Sequence, residues 1–197
     1  MLRRLPVIPT IVVLAAVAVM IRLGFWQIDR MHQKEAMLAR YETARTMSSD
    51  VPYPRNVTER DGALFRHSSL TCTSAVTSAP KAGRNDRGES GWAHVAPCSR
   101  ADGGRAEVVL GWSRNPAPVR WEGGEVFGFV APGGALGSRL VVHPPKAGLA
   151  ANAVPDPRNI PNNHWSYAVQ WFLFAGIALV IYALAVRGRL RGLQPPT

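Results

Sequence analysis

Residues 167–186 read YAVQWFLFAGIALVIYALAV, twenty residues without a charged side chain. At a rise of about 1.5 Å per residue, a helix of this length crosses the ~30 Å hydrocarbon core of a bilayer. Three arginines follow the run within a few residues. The stretch therefore predicts a transmembrane helix over 164–186, followed by a basic cytoplasmic tail over 187–197.

A second apolar stretch lies near the N-terminal end of the chain. LPVIPTIVVLAAVAVMI covers 5–21 without a charge, and RLGFW extends the run to Trp26. A cleaved signal peptide is the alternative interpretation, because Arg3 and Arg4 resemble its basic start. The small residues lie inside the apolar run rather than after it, however. We therefore predict a retained transmembrane helix over 5–26, preceded by a cytoplasmic tail over 1–4.

The distribution of positive charge predicts the orientation of both helices. The net charge is +10, and five of the excess positive charges are arginines in the two tails. Because positive flanks stay in the cytoplasm, both termini are expected there and the long loop on the outer side. The charge excess therefore needs no nucleic-acid partner, and membrane lipid is the expected surroundings of both ends.

The composition of the loop changes along its length. Residues 27–46 contain no Gly or Pro, which predicts a helical extension of the first helix. Within 51–143, short apolar or alternating runs are separated by turns rich in Gly, Pro and Asp, which predicts a small antiparallel β-sheet or barrel domain. The runs are 64–76, 92–98, 106–112, 125–131 and 138–143. Residues 144–163 contain five prolines and predict an irregular linker. The expected fold class is a membrane protein of α+β type.

The chain has two cysteines, Cys72 and Cys98, and both lie on predicted strands. On the outer side of a membrane they could pair as a disulfide, and two free buried thiols are the alternative. Two cysteines exclude a four-thiolate metal centre and a disulfide-dense scaffold. Their spacing is also not that of a C-x-x-C redox motif.

Enzyme motifs are absent from the sequence, including G-x-S-x-G, H-E-x-x-H and the phosphate-binding loops, so we expect no catalytic activity. One histidine stands apart, because His164 lies three residues before the second apolar run, among Trp165, Tyr167 and Trp171. A neutral imidazole is a good axial ligand for haem iron. The alternative is a packing histidine at a helix start, with Asn162 or Asn163 as the N-cap.

Four stretches resemble the Surfeit locus protein 1 family, in the order in which that family has them. LGFWQIDRMHQK (23–34) is similar to the family's L-G-x-W-Q-x-x-R-x-x-x-K, and GWAHVAP (91–97) to its G-Y/W-x-V-x-x-P strand. VVLGWSRNP (108–116) is similar to a strand that ends in an R-G-W-V-P-type turn, with Leu110 where the family usually has Arg. The most specific stretch is NNHWSYAVQWFLFA (162–175), which resembles N-x-H-x-x-Y-A-x-Q-W-F.

This resemblance implies a function in assembly of the haem-copper cytochrome c oxidase. Family members assist that assembly, and bacterial members are implicated in binding haem a for delivery to the catalytic subunit. By position, the haem-linked histidine of the family corresponds to His164, which is also the hypothetical ligand of the haem iron. The other cofactor-binding candidates are Trp165, Tyr167, Trp171, Trp26 and Arg30.

The resemblance also implies partners and a location. The expected partner is the catalytic subunit of the oxidase, with the enzyme that makes haem a as the alternative, and the expected location is a bacterial inner membrane with a periplasmic loop domain. Arg22 or Arg30 could neutralise a haem propionate, since a guanidinium matches a carboxylate. The alternative from another class is a scaffold that stabilises an assembly intermediate by protein–protein contacts and never binds haem. A two-helix receptor is disfavoured, because the expected tails are too short for an output module.

Overall fold

The computed structural model describes residues 6–134 and 137–191, which form two compact units. Among the described residues, one unit extends to Met37 and resumes at Pro161, and the other contains Leu38–Ile160. The predicted tail over 1–4 and the part of the predicted tail after Arg191 lie outside the described residues.

Along the chain the elements are α1 (Val7–Thr46), β1 (Val51–Pro52), α2 (Val57–Ala63), β2 (His67–Cys72), β3 (Val76–Thr77), β4 (Ala79–Arg84), β5 (Ser90–Ser99), β6 (Arg105–Ser113), β7 (Arg120–Trp121), β8 (Gly124–Pro132), β9 (Ser138–Val142) and α3 (His164–Arg191), with a 3-10 helix at Pro157–Asn159.

The first unit contains two helices that are long and apolar enough to cross a membrane. Pro6 and Pro9 lie at the start of α1, where the backbone N–H groups have no helical partner and proline is tolerated. Large apolar side chains on both helices are exposed, among them Ile8 at 77% and Ile181 at 62%. Lipid is the solvent that accommodates such a surface. The protein is thus a membrane protein with two helices and a β-domain.

The two helices pack through one face of each. On α1 the less exposed positions recur every three or four residues, the spacing by which a helix presents one face to another, at Thr10, Val13, Val17, Met20, Gly24 and Gln27. On α3 the buried residues are the small Ala168 and Ala175. A Cβ atom built on Gly24 would lie 2.6 Å from the Phe172 ring, so a larger residue at this contact requires that ring to shift.

The second unit contains a seven-stranded sheet with the order β1-β2-β8-β9-β6-β5-β4, and β3 pairs with β7 in a separate two-stranded sheet. The prediction of a purely antiparallel sheet is wrong, because β1 pairs in parallel with β2 and β6 in parallel with β9. Strand β9 forms a hairpin with β8 and then lies beside β6, whose direction it shares. Alternation of apolar residues identifies a strand but carries no information about its neighbour's direction.

The seven-stranded sheet curls until its strands close into a small barrel. Cys72 at the end of β2 bridges to Arg100, just after β5, and Thr73 N–H donates to Ser99 O at 2.9 Å. This pairing joins β2 to β5, so β2, β8, β9, β6 and β5 form a closed ring. Apolar side chains fill the core, and among those with no exposed surface are Val108, Leu110, Val126, Val130 and Leu140.

The predicted irregular linker over 144–163 belongs mostly to this second unit, which extends to Ile160. Ala150 pairs with Trp112 through two backbone hydrogen bonds of 2.7 and 2.9 Å, and Asn152 bridges to Asn85. The segment is irregular in secondary structure, but its backbone is tied to the sheet. It therefore forms part of the β-domain over most of its length.

Candidate functional site

His164 is the first residue of α3 and is half-buried. The carbonyl of Asn163 accepts the backbone hydrogen bond of Tyr167 at 3.3 Å, so the helical pattern begins directly before the histidine. Asn162 Oδ1 is buried and has no hydrogen-bond partner among the residues that the structure describes. The side chain of Asn162 is therefore not an N-cap, and Asn163, the other residue that the alternative named, occupies the N-cap position directly before α3.

The imidazole of His164 is hydrogen-bonded to the other helix. Its Nδ1 lies 2.7 Å from Oε1 of Gln27 on α1. A carboxamide oxygen can only accept, so Nδ1–H is the donor and Nδ1 carries the ring hydrogen. In the neutral imidazole the second nitrogen, Nε2, then has a free lone pair. Histidines that ligate metals in proteins usually have this arrangement, with one ring nitrogen held by an acceptor and the other on the metal.

Trp26 and Arg30 form a second pair, one helical turn apart on α1. The guanidinium of Arg30 lies 5.7 Å from the centre of the Trp26 ring, which is within the range of a cation–π contact. Arg30 Nη1 also donates a 2.9 Å hydrogen bond to Gln33 Oε1. The Trp26 side chain is 42% exposed. This pair offers an open aromatic surface with a positive charge beside it.

The three aromatic candidates on α3 have different surroundings. Trp165 is 58% exposed and Tyr167 is 51% exposed. Trp171 is half-buried and packs edge-on against Phe174, with ring centres 6.3 Å apart. Exposed aromatic rings near a helix end are typical of the membrane interface, and they also suit the flat face of a porphyrin.

Among the predicted site residues, the structure thus joins Trp26 to Arg30, and it joins His164 to Gln27. Gln27 lies in the first family motif, but the sequence alone does not identify it as a site residue. The available signal was the proximity of each residue to a predicted membrane boundary, since Gln27 follows the first apolar run and His164 precedes the second. Two antiparallel helices bring those ends to the same level.

The structure gives the candidate site a single histidine. No group of three or more His, Cys, Asp and Glu side chains is placed to hold a metal ion within residues 6–134 and 137–191. Among the described residues His164 could therefore serve as a single protein ligand to a metal that is already held by a macrocycle.

The cysteines of the β-domain form a disulfide. Cys72 and Cys98 are joined with an S–S distance of 1.96 Å and a Cα–Cα distance of 5.3 Å. Both are buried, at 3% and 2% exposed. The bond links β2 to β5 where these strands close the barrel, which makes it a structural cross-link.

The β-domain also contains a buried histidine whose nitrogens are both hydrogen-bonded. His94 is 0% exposed, with Nδ1 3.2 Å from Ser78 Oγ and Nε2 2.9 Å from Ser113 Oγ. Ser113 donates its hydroxyl hydrogen to the carbonyl of Asn115, so it accepts from Nε2–H. Ser78 Oγ accepts from the backbone N–H of Val119 at 2.9 Å and donates to Nδ1. His94 therefore has no free nitrogen for a ligand.

An ion-pair network lies where α1 ends within the β-domain unit. Asp156 contacts Arg158 at 2.7 Å and Arg45 at 3.6 Å, and Arg158 also contacts Glu42 at 3.5 Å. Hydrogen bonds from the Arg158 side chain and the two nearby positive charges lower the pKa of Asp156 to about 2. The network ties the last turns of α1 to the 3-10 helix.

One cavity of the β-domain is lined by residues of β4, β5 and β6. It has a volume of about 480 Å³ and lies in the second unit. Its wall includes the ion pair between Lys81 and Glu107, whose charged atoms are 3.1 Å apart.

The sequence of the chain was compared with known families and proteins. The sequence model of one family, described as the SURF1 family, matches residues 14–176, which is well over half of the chain. The matched range includes both long helices in part and the whole β-domain, and it contains Gln27 and His164. No curated protein matches the chain significantly.

Proposed function

The chain belongs to the SURF1 family, which is the Surfeit locus protein 1 family, and from this premise we propose that it holds haem a for insertion into the catalytic subunit of cytochrome c oxidase. The family is associated with cytochrome oxidase assembly, and it is a family of assembly factors rather than of enzymes. The proposal adds the cargo and the residues that would bind it.

The observation that carries the proposal is the hydrogen bond between His164 Nδ1 and Gln27 Oε1, at 2.7 Å. It leaves the Nε2 lone pair of His164 available, which is the donor that haem iron takes from a neutral imidazole. When bound, haem a would supply the iron and its own four ring nitrogens. The donor set on the protein, a single oriented histidine, fits a group that needs one or two axial ligands.

The neighbouring residues support binding of a large apolar cargo with carboxylates. Trp26, Trp165 and Tyr167 expose between 42% and 58% of their surface, so their rings are available to an apolar macrocycle. Arg30 is exposed on the same helix as Trp26, and its fork of N–H donors matches a propionate. These residues would bind and orient the cargo, while His164 would hold the metal.

The location and the partners are part of the same proposal. Both long helices would span a bacterial inner membrane with the chain termini in the cytoplasm, so that the β-domain lies in the periplasm. His164 would then lie at the outer interface of the membrane. The β-domain would contact the catalytic subunit of the oxidase or the enzyme that makes haem a, and its Cys72–Cys98 disulfide suits an oxidising compartment.

The decisive experiment is spectroscopic. The full chain is produced together with the haem a biosynthesis enzymes, purified in mild detergent, and compared with His164→Ala and with the control His32→Ala, which removes an exposed histidine from α1. We expect a haem a spectrum in the wild type and in His32→Ala, and its loss or a clear shift in His164→Ala. Folded wild-type protein without haem a would contradict the proposal.

The same variant, tested in cells, distinguishes the scaffold function from the haem a carrier function. If the chain acts only by protein–protein contacts, His164→Ala supports a normal haem content of the oxidase. If it carries haem a, His164→Ala lowers that content while the protein remains folded in the membrane. Circular dichroism of the purified variant verifies that the protein remains folded. The β-domain and the helix pair are separate compact units, so the signals of both strand and helix are followed.

A further inference from the structure

We propose that Gln27 sets how tightly His164 holds iron, so that the cargo is bound firmly enough to be carried and weakly enough to be released. The inference rests on the proposed function and names a residue that regulates the same site. Gln27 does not touch the cargo in this proposal. It acts on the histidine, as a positioning residue.

The hydrogen-bond acceptor of the His164 ring is Gln27 Oε1. The acceptor at Nδ1–H determines how much electron density the ring can donate from Nε2. A carboxylate at this position draws the hydrogen away and makes the imidazole a stronger ligand. Gln27 offers a neutral carboxamide oxygen at 2.7 Å instead, which orients the ring without adding a negative charge.

The hydrogen-bond acceptor and the histidine that it holds lie on different helices. Gln27 is on α1 and His164 is the first residue of α3, and both side chains are half-buried. Close approach of the two helices positions them, because Gly24, one turn before Gln27, lies against the Phe172 ring. The orientation of the imidazole therefore depends on the helix pair as a whole, and does not depend on α3 alone.

The acceptor at position 27 can be changed with little change in side-chain size. Glutamine and glutamate have the same length and shape, so Gln27→Glu places a carboxylate oxygen where the amide oxygen now lies. Gln27→Met keeps a similar length but removes the acceptor. The two variants therefore change the strength of the Nδ1–H acceptor in opposite directions, with little change in packing volume.

The test compares these two variants with the wild type, loaded with haem a as above. We expect Gln27→Glu to lower the reduction potential of the bound haem and to slow its transfer to an excess of apomyoglobin by about 10-fold or more. We expect Gln27→Met to weaken haem a binding by about 10- to 100-fold, the usual effect of removing such an acceptor. The control is Ala36→Glu, which adds the same charge at an exposed position of α1 and should leave both quantities near their wild-type values.

A second measurement examines the hydrogen bond without any cargo. In the ¹⁵N NMR spectrum of the haem-free full chain, His164 should show hydrogen on Nδ1 only, and the exposed His32 serves as an internal reference. Gln27→Met should give His164 a mixture of the two neutral tautomers. An unchanged tautomer in Gln27→Met would overturn the inference.

The outcomes distinguish the two proposals. If the wild type binds haem a but Gln27→Glu and Gln27→Met leave its potential, affinity and transfer rate unchanged, the role of Gln27 is wrong and the carrier function stands. If the wild type binds no haem a while the NMR signature of the Gln27–His164 hydrogen bond is present, the carrier function fails and the tuning role fails with it.

Discussion

Each of the two compact units contains a histidine that is hydrogen-bonded across the fold, and the two differ in what remains free. In the β-domain, His94 is 0% exposed and both of its ring nitrogens lie within 3.2 Å of serine hydroxyls. In the helix pair, His164 is half-buried, and its Nδ1 is held by Gln27. Both nitrogens of the first histidine are hydrogen-bonded inside the core of the β-domain. The second keeps a lone pair at the edge of a lipid-facing helix pair.

This difference separates a structural residue from a candidate ligand more clearly than residue type or sequence position does. A buried polar group is costly unless its hydrogen bonds are made, so His94 contributes to stability through the partners that it satisfies. The hydrogen bond of His164 orients a ring but does not complete its bonding. We therefore expect substitutions of His94 to change stability, and substitutions of His164 to change binding.

The largest effect is expected for His94→Ala. The substitution leaves a cavity and removes the partner of Ser78, which is itself 3% exposed, so we expect the β-domain to lose about 2–4 kcal/mol of unfolding free energy. The measurement is denaturant unfolding of the full chain, followed by the β-sheet circular dichroism signal. His164→Ala serves as the comparison and should leave this transition in place. Equal destabilisation by the two substitutions would remove the distinction drawn above.

An intermediate effect is expected where the two helices approach most closely. In Gly24→Leu, the new side chain must displace Phe172, which separates the helices near Gln27 and costs about 1–3 kcal/mol of packing. The ¹⁵N signature of the Gln27–His164 hydrogen bond should weaken or disappear. Gly176→Leu is the matched control on α3, because a Cβ atom there has no neighbour within 4 Å. Loss of the signature in both variants would mean that this contact does not position the histidine.

Much of the fold could be predicted from local pattern. The five apolar or alternating runs correspond to β2, β5, β6, β8 and β9, since a strand that is buried on one face carries that alternation in its sequence. Strand β4 could not be predicted, because its sequence APKAGR contains no large apolar residue. It lies at the edge of the sheet, where Pro80 and Lys81 are tolerated and discourage further pairing.

The candidate site was only half predictable for a different reason. His164 is visible in the sequence because a histidine before an apolar run is unusual. Its partner Gln27 lies 137 residues away along the chain. Hydropathy predicts that two helices cross a bilayer, but it does not give the rotation of each helix about its axis. That rotation places Gln27 toward His164, and it is set by the packing of Gly24, Ala168 and Ala175.

The smallest effect is expected for the ion pairs of Asp156 in the β-domain unit. Because the pKa of Asp156 falls to about 2 on folding, from an ordinary value of 3.8, its contribution is fully present above about pH 4 and is lost as the pH falls toward 2. Arg158 is largely exposed, so the contribution should be only a few tenths of a kcal/mol up to about 1 kcal/mol.

Comparison of the wild type with Asp156→Asn between pH 6 and pH 2 measures that contribution. The thermal midpoint of the β-domain should be higher in the wild type at pH 6, and the difference should shrink as the carboxylate is protonated. His164 belongs to the other unit, so its ¹⁵N signature in the haem-free chain should be the same in both proteins. A difference in thermal midpoint that stays constant down to pH 2 would show that the carboxylate charge of Asp156 does not stabilise the fold. The effect of the substitution would then come from the changed side-chain hydrogen bonds alone.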